Sequence, residues 1–386
     1  MRRFGSVMGV VAVLPLVGLL ACAPGPPHHG PGVGAESRVG IDEVQVLASH
    51  NSYHLEPEPT LLTALRDALG DEVDGFEYTH RPLADELDAG VRQVELDVFV
   101  DDPAGGRYAS PVLVPALGLD PVDPRMSDPG LKVLHVQEVD YRSTCPTFVD
   151  CLTQVRDWSD AHPGHLPITI QVEPKDDTIP DPGLGFVTPL PWTTGSFATL
   201  EDEIRSVFPS RHGARDRVVT PGDVQGRHPT LRQAVERARW PSLASARGKV
   251  LFVLDDGGEE RDAYRALHAD MRDRVVFVSA APPDDDAGMV VVNDPVGSGE
   301  RIRELVEDGF IVRTRADADT VQARTGDTAQ QEAAWASGAH YVSTDYVFPD
   351  TRFGTGYVAA VPGPGVARCN PVSASRWCAR VNLRGG

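Results

Sequence analysis

Eight short apolar runs, spread over roughly 300 residues with helical or loop-like segments between them, restrict what this chain can fold into. They are VQVLAS (44–49), VRQVELDVFV (91–100), LKVLHVQ (131–137), LPITIQVE (166–173), GKVLFVLD (248–255), RVVFVSA (274–280), FIVRTRAD (310–317) and AHYVSTDY (339–346). Most are nearly continuous rather than strictly alternating, the pattern of parallel strands covered by helices on one side and packed inside on the other. Helical segments fit between several of them: TLLTALRDALG (60–70) and ERIRELVEDG (300–309) end in Gly, and RPLADELDAG (81–90) has Pro near its first turn. Eight such strands predict a (β/α)₈ TIM barrel. An open doubly wound sheet is the competing architecture, but no Gly-rich phosphate loop follows the first run. The stretches 111–130 and 180–195 read as long loops, which on the C-terminal face of a barrel build substrate walls. No repeat or linker divides residues 41–386, so they form one domain in this reading.

The segment before that domain reads differently. Met1-Arg2-Arg3 is basic, residues 7–21 are apolar and Cys22 follows, so residues 1–21 read as a signal peptide. LLAC resembles a lipobox, which makes Cys22 a lipidation site and the protein an exported, membrane-anchored lipoprotein, with plain secretion as the alternative. The Gly/Pro-rich stretch 22–40 reads as a tether unable to bury enough apolar surface to fold. Four further cysteines, Cys145, Cys151, Cys369 and Cys378, suggest disulfides in an exported chain. Three pairings are possible, and Cys145–Cys151 with Cys369–Cys378 is preferred because each closes a short loop; a zinc site fits the spacings less well. A formal charge of −20 repels nucleic acid, so no nucleic-acid partner is expected, and a hard cation is a reasonable guest. The chain is expected to be a monomer.

Chemistry concentrates at the C-terminal ends of the first four runs. Ser49-His50-Asn51 ends the first, Glu95 and Asp97 lie in the second, His135 in the third, and Glu173-Pro174-Lys175 ends the fourth. Glu95 and Asp97 are two apart and share one face of a strand. Two carboxylates within an apolar run need something cationic between them. Asn51, Glu95, Asp97 and Glu173 together form an all-oxygen set suited to Ca²⁺ or Mg²⁺. His50 and His135 then remain for proton transfer. Each residue also has a plain structural explanation: Glu95 paired with Arg92 or Arg313, Lys175 an ordinary surface lysine, a single His fixed at a strand end.

In this order, LASHNSYH, GVRQVELDVF, VLHVQ, ITIQVEPK, GKVLFVLD and GFIVRTRAD resemble the calcium-dependent phosphoinositide-specific phospholipase C family, in its bacterial secreted branch, over nearly all of residues 41–350. The resemblance implies a phospholipase-type phosphodiesterase barrel with His50 and His135 as the catalytic pair. It also implies Ca²⁺ as cofactor on Asn51, Glu95, Asp97 and Glu173, and a phospholipid substrate met at a membrane surface. The implied reaction is attack of the inositol 2-hydroxyl on phosphorus, with diacylglycerol leaving and a cyclic inositol phosphate formed first. The lysines that hold the headgroup in the animal enzymes have no match, because Asp255 and Asp256 stand in that stretch; Lys175 and Arg313 are the substitutes expected to bind substrate. The run GAHYVSTDY is similar to the last strand of glycerophosphodiester phosphodiesterases, which is the alternative activity. That family has Arg-Gly after its first His, whereas Asn51-Ser52 follows His50. A catalytically idle binding barrel is the third reading, and it leaves buried carboxylates without a reason.

Overall fold

The computed structural model describes residues 31–209, 216–237 and 240–384. Ten strands occur among them: β1 Val44–Ser49, β2 Val91–Phe99, β3 Lys132–Val133, β4 Ile168–Lys175, β5 Val250–Leu254, β6 Phe277–Val278, β7 Met289–Val291, β8 Ile311–Arg315, β9 Tyr341–Thr344 and β10 Ala367–Cys369. Eight of them run parallel in the order β6-β5-β4-β2-β1-β9-β8-β7. A parallel bridge between Ser279 and Met289 brings β6 against β7 and closes the barrel. The predicted (β/α)₈ architecture is thus the one observed.

One expected strand is replaced by another. Residues 131–137 do not form a barrel strand: only Lys132 and Val133 are extended, antiparallel to the end of β2 with Val98 opposite Val133. The parallel edge of β2 is already taken by β4, paired from Gln93↔Thr169 to Phe99↔Lys175. A chain leaving the top of β2 without a crossover helix can only return antiparallel. The missing barrel member is β7, whose three residues are too few for a periodicity to mark. The helices fare better. Residues 60–70 give the helix Pro59–Leu69, closed by Gly70 at φ 67°, and 81–90 and 300–309 give Leu83–Asp88 and Gly299–Glu307.

The apolar core lies outside the barrel. Val94, Leu96 and Val98 of β2 join Ile168, Ile170 and Val172 of β4 in one cluster with Phe148, Leu152 and Val155 of the helix Phe148–Ala161. The opposite face carries Gln93, Glu95 and Asp97, with Thr169, Gln171 and Glu173 as their cross-strand partners. The barrel interior is therefore polar, and it becomes more acidic toward the C-terminal ends of the strands.

Residues 1–30, with the predicted signal peptide and Cys22, lie outside the described residues. The predicted tether is shorter than 22–40 at its far end. Ala35 and Val39 are buried, and Glu36 pairs with Arg247 at 2.9 Å, so the packed domain begins before residue 41. The disulfides are Cys145–Cys151 and Cys369–Cys378, as expected. The first ties Cys145, before the helix Phe148–Ala161, to Cys151 in its first turn, where Thr147 caps the N–H of Asp150; the second starts from the last residue of β10, which pairs with β1.

The insertion after β2 is pinned by a buried charge pair. Lys132 Nζ lies 2.8 Å from Asp101 Oδ2, with both side chains almost fully buried. Asp101 also accepts the N–H groups of Asp102, Gly106 and Arg107, and Lys132 donates to the carbonyls of Asp128 and Gly130. Removing one partner strands a charge inside. Lys132→Ala should destabilise the protein by about 3–5 kcal/mol, measured by urea unfolding. A loss below about 1 kcal/mol, the scale of exposed pairs, would show that the pair does not hold the insertion.

Candidate active site

The turn after β1 is fastened to β2 through Ser52. Its Oγ accepts the Glu95 N–H at 2.8 Å and bonds Ser49 Oγ at 2.6 Å, while its own N–H reaches the Glu95 carbonyl. Asn51 takes φ 44°, a left-handed conformation that asparagine tolerates better than most residues. This turn directs the Asn51 amide nitrogen to Tyr78 Oη at 3.0 Å. Register does the rest, because Asp97 is paired with Glu173 across β2 and β4.

Carboxylate oxygens of Glu95, Asp97 and Glu173 lie within 4.8 Å of one another. Each is held differently. Arg313 Nη2 binds Glu95 at 2.5 Å, and Lys175 Nζ binds Glu173 at 2.9 Å. Lys175 also lies 3.4 Å from Asp97 Oδ2, an ion pair too poorly aligned to count as a hydrogen bond. Both Asp97 oxygens and Asn51 Oδ1 are buried with no hydrogen-bond donor, while Asn51 Nδ2 donates to Tyr78 Oη at 3.0 Å. Burial, and then the charge of Glu173, push the Asp97 carboxyl well above the usual carboxylate range, against Lys175 and His135. The two orphaned Asp97 oxygens beside the carboxylates of Glu95 and Glu173 make an all-oxygen donor set that fits a hard divalent cation such as calcium.

His50 donates from Nδ1 to Asp345 Oδ1 at 2.7 Å, and its Nε2 faces Arg315 Nη1 at 3.2 Å. Arg315 also binds Asp345 Oδ2 at 2.8 Å. A guanidinium can only donate, so Nε2 carries the lone pair. Burial, with Arg315 adding to it and Asp345 opposing, lowers the His50 pKa to about 4. His135 lies not at a strand end but in the turn after β3, closed by paired backbone bonds between Val136 and Asp140. Its Nδ1 donates to Asp140 Oδ2 at 2.7 Å. Burial pulls the His135 imidazole down, but the hydrogen bond and charge of Asp140 outweigh it and hold it above its ordinary value.

Of the residues expected to meet metal or substrate, Glu95, Asp97 and Glu173 cluster with Lys175 beside them, while His50 and His135 each have a carboxylate partner. Arg313 is 3% exposed and engaged by Glu95, Asn293 and Ser343. It serves to hold Glu95 instead of presenting a cation to substrate, which corrects the expected substrate-binding role and matches the plainer pairing weighed for Glu95. Arg315, two residues on and on the same strand face, is the cation beside His50. The i, i+2 spacing of the two arginines was the signal for it. Asp345 stood in the last apolar run and could be guessed as a strand-end acid; nothing in the sequence marked Asp140 or Tyr78.

The acids give a test that separates their roles. Asp97→Asn should weaken calcium binding and stabilise the metal-free protein, because a buried carboxylate without a donor is removed. Glu95→Gln should also weaken calcium binding but destabilise the metal-free protein, because Arg313 loses its counter-charge. Since a cation must displace the proton that burial keeps on Asp97, calcium affinity should fall as pH is lowered from about 8 to about 6, with proton release on binding. Calorimetry in two buffers of different ionisation enthalpy, with thermal unfolding in EGTA, measures all three. Affinity independent of both substitutions would leave these carboxylates with a purely structural role.

Comparison with known proteins agrees with this geometry. The family described as "Phosphoinositide phospholipase C, Ca2+-dependent" matches residues 39–371. No curated protein matches. Among solved structures, the fold is similar to a Ca²⁺-dependent phosphatidylinositol-specific phospholipase C from Streptomyces antibioticus, with TM-score 0.51 and 18% identity over 80% of this chain and 95% of that one. It is also similar to a calcium-dependent phosphoinositol-specific phospholipase C from a Pseudomonas species, with TM-score 0.51 and 17% identity over 87% of this chain and 97% of that one. At these identities the structures speak for the fold, and the family match over most of the chain speaks for membership. The chain belongs to the calcium-dependent phosphoinositide phospholipase C family.

Proposed function

We propose that this enzyme cleaves unphosphorylated phosphatidylinositol by attack of the inositol 2-hydroxyl on phosphorus, with His50 as the base and His135 as the acid of the first step. The observation that carries the reading is the pair of imidazoles, each backed by a buried carboxylate, beside an oxygen-only cation site. Calcium held by Asn51, Glu95, Asp97 and Glu173 supplies positive charge that offsets the charge growing on phosphate oxygens and makes a nearby hydroxyl more acidic. Asp345 fixes the His50 tautomer with the proton on Nδ1, leaving Nε2 to take the hydroxyl proton once Arg315 turns to a phosphate oxygen. Asp140 raises the His135 pKa and so favours its protonated form, from which the Nε2 proton goes to the diacylglycerol oxygen as the P–O bond breaks. The roles reverse if water then opens the cyclic phosphate. The glycerophosphodiester alternative loses its footing with the family assignment.

Headgroup preference follows from the wall after β5. Asp255 accepts from Gln171 at 2.7 Å and burial pushes its carboxyl up to about 7, with Arg313 opposing. Carboxyl groups there suit ring hydroxyls and oppose added phosphates. Lys175, part-exposed beside Glu173, is a second cation, with Arg315, to meet the lipid phosphate. Export is supported by the basic-apolar start of the chain and by two disulfides, and acylation of Cys22 would keep the enzyme at the membrane.

Purified protein should release diacylglycerol from phosphatidylinositol faster than from its bisphosphate, and not from phosphatidylcholine. Activity should vanish in EGTA and return with calcium. At saturating calcium the rate should fall as pH rises through the raised pKa of His135, because the acid is then unprotonated. That alkaline limb should disappear with an inositol phosphodiester of 4-nitrophenol, whose leaving group needs no acid. An identical limb with both substrates would remove His135 from the leaving-group side.

A further inference from the structure

LASHNSYH contains a second histidine that the proposed chemistry leaves unused. His54 is fully buried, yet every polar atom of its ring is engaged. Its Nε2 lies 2.9 and 2.7 Å from the two oxygens of Asp140, and its Nδ1 lies 3.1 Å from the Tyr78 carbonyl. The ring stacks on Tyr78 at 4.1 Å between centroids and meets the His135 ring edge-on at 5.8 Å. Its backbone N–H is tied to the Asn51 carbonyl. Asp140 therefore stands between two imidazoles, and burial notwithstanding, they hold its carboxyl down to about 2. His54, His135 and Asp140 have the spacing of a metal-binding trio, but their facing atoms are spent on one another, which makes the group a hydrogen-bonded relay.

We propose that His54 is a positioning residue for the acid step: by gripping both oxygens of Asp140 from behind, it fixes the carboxylate that orients His135. The inference rests on the reading of His135 given above. Asp140 sits in a short turn rather than in the barrel wall, and a carboxylate bonded only to His135 would be free to rotate and let that ring swing. His54 comes from the turn after β1, which Ser52 fastens to β2, so it ties the His135 turn to the rigid part of the fold. An oriented imidazole depends on such a partner for its tautomer and direction.

The test compares substrates as well as variants. His54→Phe keeps a ring against Tyr78 and deletes both hydrogen bonds. Its kcat on phosphatidylinositol should fall about 10- to 100-fold with KM nearly unchanged, the scale seen when a residue that orients a working imidazole is lost. On the 4-nitrophenyl substrate the fall should be less than about 3-fold, since no acid is needed. In a His135→Ala background, adding His54→Phe should cost almost nothing further on phosphatidylinositol. Should His54→Phe fail to fold, His54→Gln and His54→Asn replace it: Gln extends an N–H toward Asp140 and should retain more activity than Asn, which reaches only toward Tyr78. Equal losses on both substrates together with additive losses in the His135→Ala background overturn the proposal, as does Asn matching Gln. If His135→Ala itself slows both substrates equally, the acid assignment fails, while non-additivity with His54→Phe would still place His54 behind His135.

Discussion

Glu95, Asp97 and Glu173 crowd like charges into the mouth of a barrel whose outside is packed with aliphatic side chains. Such a cluster is costly away from water, and much of the surrounding structure acts to offset it. Arg313 rises from β8 to neutralise Glu95, and Lys175 lies over Glu173 and Asp97. The compensation stops short at Asp97 and at the Asn51 oxygen, which keep no donor. A fold seeking stability alone would have paired them. Leaving oxygen atoms bare in a preformed cage keeps a cation site ready without rearrangement of the walls.

Around this cage the imidazoles occupy opposite electrostatic conditions. His50 is buried and shares its carboxylate with a guanidinium; burial first, and then Arg315, lower its pKa against Asp345. His135 shares its carboxylate with another histidine, and its own pKa rises. Two histidine–carboxylate pairs are thus driven in opposite directions: burial, with Arg315 adding to it, prevails at His50, whereas the hydrogen bond and charge of Asp140 prevail over burial at His135. That asymmetry is what the proposed division into a proton acceptor and a proton donor rests on.

Legibility in the sequence followed the range of the interactions. The period of the apolar runs announced parallel strands, and Glu95 and Asp97 announced a charged inner face because strand geometry fixes i and i+2 on one side. The short loops closed by the cysteines were likewise local, and the disulfides followed them. By contrast, VLHVQ had a strand's composition and became a turn, because the edge it would have needed on β2 belonged to β4. The three residues of β7 earned their place from neighbours on both sides rather than from their own pattern.

The sequence by itself determined the barrel class and the inner face that Glu95 and Asp97 share, since both depend on residue type and on spacing along a strand. Which group answers to which charge was decided only by the tertiary structure. Arg313 and Glu95 are 218 positions apart, and His50 and Asp345 are 295 apart, distances at which no local pattern survives. Closing the barrel brings β9 beside β1 and so sets Asp345 behind His50, and it gives Arg313 to Glu95 and Arg315 to His50. Partners of a buried charge are chosen by proximity in space and by the cost of leaving any charge alone, and neither quantity exists until the sheet has closed.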